Sequence, residues 1–292
     1  MKVSKAVIPA AGFGTRFLPA TKSQPKEMLP IVDTPTIQYV VEEAVESGIT
    51  DILMVIGKGK RAIEEHFYRN FELEHELQEK GKTEDLERIK SISEYANIHF
   101  IWQKELRGLG DAVSYARSYV AGEPFALLLG DTLVRSAAGE PPITRQLIDI
   151  YDRYQESAVA LEEVPHEKVD RYGIVGGREI DEALFLLDRL IEKPSVAEAP
   201  SDLAIAGRYV FSPEIFSYLA SAKPGLNNEI QLTDAMARML ADRAMYGLRF
   251  AGDRFDIGNR LDFLKTNIIF ALDREDVGPR LRKFLKEISK DL

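Results

Sequence analysis

Two glycines and three cations stand close together near the N-terminus. They lie in the segment 9–30, PAAGFGTRFLPATKSQPKEMLP, which follows the short apolar run 5–8, and such a run predicts a buried strand. Gly12 and Gly14 let backbone N–H groups approach an anion closely. The three cations of the loop are Arg16, Lys22 and Lys26. Prolines stiffen the segment and keep it from continuing as a helix. The composition predicts a cradle for a polyphosphate group.

Two other phosphate-binding motifs do not fit the chain. The dinucleotide fingerprint G-x-G-x-x-G requires a third glycine where this chain has Phe17, with a helix directly after it. The Walker loop G-x-x-x-x-G-K-[ST] finds its second half at residues 81–83, but Glu76 stands at its first glycine position. We therefore interpret the partial Walker match as accidental.

Two aspartates are candidate metal ligands. Asp131 follows the apolar run 125–129, FALLL, and open α/β sheets bind their ligands beyond the carboxyl ends of the strands. A carboxylate there suits Mg2+, which uses few protein oxygens together with phosphate oxygens. The alternative for Asp131 is a structural turn. Asp256, in the segment FDIG, is a second possible metal carboxylate, and the residues alone do not decide between that role and none.

A third group of residues could hold a polyol and an anion. Glu192 and Lys193 follow the apolar stretch 184–191 and precede a proline, so an acid and a base are held side by side. A surface ion pair is the alternative. Gly173 and Gly207 could admit a ligand close to the backbone, or could mark strand bulges.

The elements that would position these residues alternate between strand and helix. Residues 5–56 predict strand, loop, helix and strand, which is a βαβ unit with parallel, right-handed pairing. The charged stretch 58–95 predicts two or three exposed helices. A strand at 97–102 leads to Gln103, a turn at 107–110 and a helix capped by Asp111. Further strands are predicted, partly antiparallel because their connections are short, at 158–164, 172–176, 184–191, 204–211 and 246–250.

Helical patterns fill most of the remaining second half. They begin at residues 143, 212 and 233, and a long helix carries Leu261, Leu264, Ile268 and Leu272 on one face. Gly278 and Pro279 are predicted to break the chain before a last amphipathic helix, whose apolar residues are Leu281, Phe284, Leu285 and Ile288. We find no internal repeat and no low-complexity linker.

The composition excludes several classes of protein. The 292 residues carry a formal net charge of −9, which argues against non-specific nucleic-acid binding. No apolar run approaches the length of a membrane span, and the N-terminal residues lack the pattern of a signal peptide, so a cytoplasmic location is expected. The chain has no cysteine, which rules out disulfides and thiolate sites. Its four histidines show no metal-binding spacing.

A series of motifs closely resembles the bacterial UTP–glucose-1-phosphate uridylyltransferases. In chain order they are AAGFGTRFLPATKSQPKEMLP, Gln103, GLGDAV, LLGD, RYGIV, EKP, EIQLTDAM and FDIG. The match covers nearly the whole chain, and its first motif is specific for sugar-phosphate nucleotidylyltransferases. The related thymidylyltransferases usually have a second glycine where this chain has Ala11, and they lack a counterpart of the charged segment 66–95.

The resemblance implies a fold and a division of the chain. The fold is a three-layer α/β/α, Rossmann-like nucleotidyltransferase fold with a mixed, mostly parallel central sheet. Residues 1–258 would form the nucleotidyltransferase domain with the helical insert 58–95. Residues 259–292 would form C-terminal helices that serve oligomerisation, and a homodimer or homotetramer is expected.

The resemblance also implies a role for each site residue. Uracil and ribose would meet Ala11, Gly12, Gln103 and Gly108. The triphosphate would be held by Gly14, Thr15, Arg16 and Lys26. Mg2+ would be bound by Asp131 and Asp256, and Glu27 is a weaker candidate for a nucleotide contact. Glucose would be contacted by Gly173, Glu192 and Gly207, and its phosphate by Lys193. The catalytic cations would be Arg16, Lys26 and Lys193. The chain departs from the pattern at Asp111, where many members have His, and at Thr132, where many have a second Asp.

The implied reaction is UTP plus α-D-glucose 1-phosphate giving UDP-glucose and pyrophosphate. Two alternatives remain open at this point: the same chemistry with dTTP, and a non-catalytic regulator that binds sugar nucleotides. A regulator would be expected to have lost its catalytic cations or its metal carboxylate. This chain keeps all four of the relevant residues, Arg16, Lys26, Asp131 and Lys193.

Overall fold

The computed structural model describes residues 2–225 and 228–290. Up to residue 136 its elements are β1 (Lys5–Ala10), β2 (Pro30–Ile31), β3 (Thr34–Pro35), α1 (Thr36–Glu46), β4 (Asp51–Ile56), α2 (Arg61–Phe67), α3 (Phe71–Glu79), α4 (Thr83–Glu94), β5 (Asn97–Trp102), α5 (Leu109–Ser114), α6 (Arg117–Val120), β6 (Phe125–Leu128) and β7 (Thr132–Ser136). The later elements are α7 (Ile143–Tyr154), β8 (Ser157–Glu163), β9 (Gly173–Asp181), β10 (Leu184–Glu192), β11 (Leu203–Phe211), α8 (Ile215–Ala220), α9 (Leu232–Met239), β12 (Met245–Arg249), β13 (Gly252–Asp256), α10 (Arg260–Asp273) and α11 (Gly278–Ile288). Of the predicted domains, residues 1, 226, 227, 291 and 292 lie outside the described residues.

A nine-stranded sheet organises the protein, in the order β5-β4-β1-β6-β11-β8-β12-β10-β9. Strands β10 and β11 run against the other seven, so the sheet is mixed and mostly parallel, as predicted. Lys5 of β1 pairs with Asp51 of β4 on one side and with Phe125 of β6 on the other. Because these strands are parallel, the segments after β1 and β6 leave the sheet next to each other.

Helices cover both faces of this sheet. In β1 the side chain of Ile8 packs into one core cluster with α1 and α7, and the neighbouring Val7 packs into the other with α5, α8 and α9. Successive side chains of a strand point to opposite faces, so both faces of β1 are buried. The predicted three-layer α/β/α architecture is confirmed.

Two local predictions need correction, and one strand pairing was missed. The helix that Asp111 was expected to cap begins at Leu109, with Gly108 as its N-terminal cap residue, and Asp111 lies inside it. Pro279 does not break a helix: it occupies the first turn of α11, and the break lies in residues 274–277. The pairing of β7 with β13 was not predicted.

Two helical regions were expected at the periphery: the insert 58–95 and the C-terminal helices. The insert forms the three helices α2 to α4. Helix α10 packs through Phe263 and Phe270 against the core cluster that contains the buried residues of α1. Its other face keeps Leu261 and Leu264 about 60% exposed. Within the described ranges, no helix combines the length and the apolar composition required to cross a membrane.

Candidate active site

Two cavities meet at Asp131. The first, of about 550 Å3, is called the nucleotide cavity here, and among the residues lining it are Ala11, Gly12, Gly14, Thr15, Lys26, Glu27, Gln103, Gly108 and Asp131. The second, of about 240 Å3, is called the sugar cavity, and its lining includes Asp131, Gly173, Glu192, Lys193, Gly207 and Asp256. The structure thus gathers the predicted nucleotide residues on one side of Asp131 and the predicted sugar residues on the other. Of the predicted set, Arg16 alone lines neither cavity and borders a third.

The segment 9–30 is called the glycine-rich loop here. It contains three single-turn 3-10 helices rather than one continuous helix. Gly14 has a φ of 67°, and a Cβ built on it would lie 2.9 Å from Cβ of Lys26. The hydroxyl of Thr21 donates a 2.8 Å hydrogen bond to the Gly14 carbonyl. Only glycine fits this position without strain, because Lys26 has to fold back across the loop.

Lys26 reaches from the loop to Asp131 and forms an ion pair with it. Burial lowers the pKa of Lys26, but the Asp131 carboxylate outweighs this effect, and the pKa lies above its ordinary value. Burial raises the pKa of Asp131, but the Lys26 ammonium outweighs it, and the pKa lies below its ordinary value. Both groups are therefore charged at neutral pH, at the junction of the two cavities.

A buried ion pair lies beneath the loop. Nζ of Lys60 is 2.7 Å from Oε2 of Glu27, and both residues are less than 5% exposed. Burial raises the pKa of Glu27 and lowers that of Lys60, and each partner offsets only part of the shift. Sequence analysis assigned 58–95 to an exposed segment. At Lys60 this assignment was wrong, because the residue anchors the loop to the start of α2.

Gln103 is held in the nucleotide cavity by the helix that follows it. Its side-chain amide donates 2.8 Å to Oδ2 of Asp111 and 3.4 Å to the Gly108 carbonyl, and Arg107 donates 3.0 Å to the other Asp111 oxygen. Asp111, one of the two departures from the family pattern, therefore holds the side-chain amide of Gln103 in place. Gly108 has a φ of 95° and closely approaches Glu229, with 2.8 Å between its built Cβ and Cβ of that residue.

The sugar cavity is held by side chains from distant parts of the chain. Oε2 of Glu192 accepts a 2.8 Å hydrogen bond from the hydroxyl of Thr233. Lys193 has a φ of 47°, unusual for a residue with a side chain, and its N–H donates to the Tyr172 carbonyl at 2.9 Å. A Cβ on Gly173 would lie 2.8 Å from Cγ2 of Thr233. The strained backbone turns Lys193 toward the cavity, with its ammonium 3.4 Å from Oε1 of Glu192.

A fully buried arginine, Arg208, lies behind Asp131. Its guanidinium donates to the carbonyls of Thr132 at 2.8 Å, Gly207 at 3.1 Å and Leu129 at 3.5 Å, and to Oε2 of Glu43 at 2.8 Å. It thus joins the backbone on both sides of Asp131 to the backbone of the predicted sugar-binding Gly207.

Sequence analysis missed this positioning residue. The signal was a single charge within β11, LAIAGRYVF, a strand whose other residues are apolar or glycine. Its partner Glu43 also accepts from the hydroxyl of Thr144 at 2.6 Å, so the buried charges are hydrogen-bonded, as burial requires.

Asp256 reaches the site through the β7–β13 pair. In that pair it stands opposite Thr132, next to Asp131, and its Oδ1 accepts from the Gly258 N–H at 2.8 Å. The described residues contain no cluster of three or more potential metal ligands. Asp131 and Asp256 both line the sugar cavity, and two carboxylates beside a space for phosphate oxygens and water match the ligands that Mg2+ prefers.

The start of α10 holds the glycine-rich loop from outside. Arg260 donates to the carbonyls of Arg16 at 3.0 Å and Leu18 at 3.2 Å. Arg16 in turn donates to the Gly258 carbonyl at 3.3 Å, and the rings of Phe17 and Phe263 meet edge to face at 5.5 Å. These contacts were not predicted, because no local sequence pattern in either segment indicates a contact with the other.

The chain is similar to known proteins over nearly its whole length. The family described as nucleotidyl transferase matches residues 5–271. The chain is 50% identical to "UTP–glucose-1-phosphate uridylyltransferase" from Staphylococcus haemolyticus, covering 98% of this chain and 99% of that protein. It superposes on a UTP-bound UDP-glucose pyrophosphorylase from Acinetobacter baumannii with a TM-score of 0.90 and 39% identity, over 98% of this chain and 99% of the other. A UDP-glucose pyrophosphorylase in complex with UDP-glucose gives a TM-score of 0.86 and 39% identity, over 93% and 100% of the two chains. The chain belongs to the nucleotidyl transferase family.

Proposed function

We propose that this protein transfers the uridylyl group of UTP to α-D-glucose 1-phosphate, giving UDP-glucose and pyrophosphate. One observation carries the proposal: the nucleotide cavity and the sugar cavity meet at Asp131. A uridylyltransferase needs this arrangement, because the sugar phosphate has to attack the α-phosphorus from the sugar side. The names of the relatives, and the UTP and UDP-glucose bound to related structures, support the same reaction.

The chemistry requires positioning and charge more than covalent help. The phosphate oxygen of glucose 1-phosphate is already ionised at neutral pH, so no general base is needed. In this proposal Lys193 aligns that phosphate, while Lys26 and Arg16 offset the charge that builds up on the triphosphate. Asp131 and Asp256 would hold Mg2+, which would neutralise phosphate charge when bound.

A pyrophosphate-release assay tests the reaction. Purified protein is given each of four nucleoside triphosphates with glucose 1-phosphate or another sugar 1-phosphate, with Mg2+ and with EDTA. UTP with glucose 1-phosphate should give the highest kcat/KM, and EDTA should abolish turnover. A preference for dTTP would assign the protein to thymidylyl transfer. No turnover with any pair would remove the proposal.

The proposal includes a homo-oligomer in the cytoplasm. The exposed apolar faces of α10 and α11 support the oligomer, with Phe284 55% and Ile288 38% exposed. Large apolar side chains at the centre of an interface dominate its energy. The double variant Phe284→Asp, Leu285→Asp should therefore lower the assembly state in light scattering after size exclusion. A wild-type monomer at tens of micromolar would exclude the oligomer. Fractionation of the producing cells tests the location.

A further inference from the structure

The nucleotide cavity has two ends of different character. Gln103 directly follows β5, and Asp131 comes three residues after β6. Strands β4 and β1 lie between β5 and β6 in the sheet, so three interstrand spacings, roughly 14 Å, separate the two positions. The ion pair of Lys26 with Asp131 marks the end that suits phosphates. A nucleotide with its phosphates at that end places its base at the other end, beside Gln103.

The side-chain amide of Gln103 has a fixed polarity. Its Nε2 lies 2.8 Å from Oδ2 of Asp111 and 3.4 Å from the Gly108 carbonyl oxygen, and the shorter contact is the stronger one. Only the NH2 group can face these neighbours, since neither an ionised carboxylate nor a backbone carbonyl carries a hydrogen. In the part of the chain that the structure describes, no group donates a hydrogen bond to Oε1 of Gln103. Oε1 is therefore the polar atom of this side chain that is left for a ligand.

Arg107 holds the carboxylate of Asp111 in this orientation. It donates a 3.0 Å hydrogen bond to Oδ1 of Asp111, the oxygen that does not accept from Gln103. The carboxylate is buried, and its two oxygens are divided between the guanidinium and the amide. Histidine, which many members of the family have at this position, can present either a donor or an acceptor. The carboxylate presents acceptors only, and it therefore fixes one of the two orientations of the Gln103 amide.

We propose that Asp111 is a positioning residue for base selection, because it fixes the Gln103 amide so that Oε1 accepts a hydrogen bond from the base. This inference rests on the proposed function. Uracil and thymine carry an N–H group at N3, which can donate to Oε1. Cytosine has no hydrogen on N3 at neutral pH, so its lone pair would face Oε1, and a desolvated acceptor left without a donor is unfavourable. The fixed amide selects imide bases against cytosine and does not separate uracil from thymine.

The substitution Asp111→Asn tests this selection. Arg107 can only donate, so it keeps the side-chain oxygen of the new asparagine, and the NH2 group of that side chain turns toward Gln103. The Gln103 amide then turns over and presents its own NH2 group to the base. We expect kcat/KM for UTP to fall about tenfold, as for the loss of one hydrogen bond, while kcat/KM for CTP does not fall. The ratio of dTTP to UTP should stay within about twofold, because both bases are imides.

The matched control is Asp149→Asn. Asp149 pairs with Arg145 four residues earlier on α7, as Asp111 pairs with Arg107, but it lines neither the nucleotide cavity nor the sugar cavity. Its substitution should leave the ratio of UTP to CTP unchanged. A second variant, Asp111→Leu, keeps the test decisive if the asparagine variant does not fold. The amide of Gln103 is then free to take either orientation, so the ratio of UTP to CTP should also fall.

Three kinetic results would overturn the proposal. The ratio of UTP to CTP could stay unchanged in a variant whose thermal unfolding matches wild type, kcat/KM could fall equally for both nucleotides, or Asp149→Asn could change the ratio as much. An inactive wild type would count against the proposed function instead. Titration calorimetry of UMP and CMP needs no turnover and therefore separates the two. The wild type should bind UMP about tenfold more tightly than CMP, Asp111→Asn should narrow the difference, and equal affinity of the wild type for both refutes the inference.

Discussion

The nucleotide cavity and the sugar cavity are built in different ways. On the nucleotide side, half of the wall comes from the single segment between Pro9 and Glu27, and a positive φ at Gly14 lets that segment close on itself. On the sugar side, the wall extends from Leu109 to Asp256, and hydrogen bonds between distant side chains, such as Thr233 to Glu192, hold it together. One cavity depends on local backbone geometry, and the other depends on the tertiary structure.

The difference determines which half each substitution should affect. A change in the glycine-rich loop should weaken the binding of UTP alone. A change on β10 should weaken the binding of glucose 1-phosphate alone. A change at the junction should damage both. The following predictions are ordered from the largest effect to the smallest.

Asp131→Asn should lower kcat by about 10^3-fold, the upper end for the loss of one preorganised electrostatic contact. The substitution removes the charge that pairs with Lys26 and that would hold Mg2+, without changing the size of the side chain. Turnover with Mg2+ is measured on purified variant whose unfolding curve matches wild type. Near-normal activity would mean that turnover does not require the Asp131 carboxylate that the two cavities share.

Arg208→Met should reduce the free energy of unfolding by about 3–5 kcal/mol, because it leaves the buried Glu43 charge without its partner. Adding Glu43→Gln should restore part of the loss, since the uncompensated charge is then gone. Urea denaturation of the wild type, both single variants and the double variant gives the four free energies of unfolding of this double-mutant cycle. A loss below about 1 kcal/mol in Arg208→Met would show that the stability of the fold does not depend on this buried network.

Lys193→Ala should raise KM for glucose 1-phosphate while leaving KM for UTP near its wild-type value. Loss of a charge-assisted hydrogen bond costs about 1.5–3 kcal/mol, which corresponds to roughly 10- to 150-fold. Steady-state kinetics with each substrate varied in turn separates the two constants. If only the UTP constant changed, Lys193 would belong to the nucleotide side, and the division between the cavities would have to be redrawn.

Gly14→Ala should have the opposite selectivity and a smaller effect. Alanine at a positive φ costs about 1–2 kcal/mol, and the new Cβ would push on Lys26. KM for UTP should rise about fivefold to thirtyfold, and KM for glucose 1-phosphate should stay within about twofold. Gly122→Ala is a useful control: Gly122 also has a positive φ, but its built Cβ meets nothing within 4 Å. An equal effect of both substitutions on UTP would point to general destabilisation.

The same contrast explains what could be predicted from the sequence. The loop from Gly12 to Lys26 and the position of Asp131 after β6 could be predicted, because each depends on neighbours in the chain and on a general rule for parallel sheets. The hydrogen bonds of Arg208 could not be predicted, since its partners lie 76 residues away at Thr132 and 165 residues away at Glu43. Asp256 was named as a candidate, but only the unpredicted β7–β13 pair explains how it arrives beside Asp131.

The hydrogen bonds from Arg260 to the glycine-rich loop also constrain the biosynthesis of the enzyme. Arg260 follows Arg16 by 244 residues, so at a translation rate of about 5–20 residues per second it leaves the peptidyl-transferase centre about 12–50 s later. A growing chain therefore contains the complete glycine-rich loop long before Arg260 has been added. The hydrogen bonds from Arg260 to this early segment can therefore form only when one of the last helices has been made.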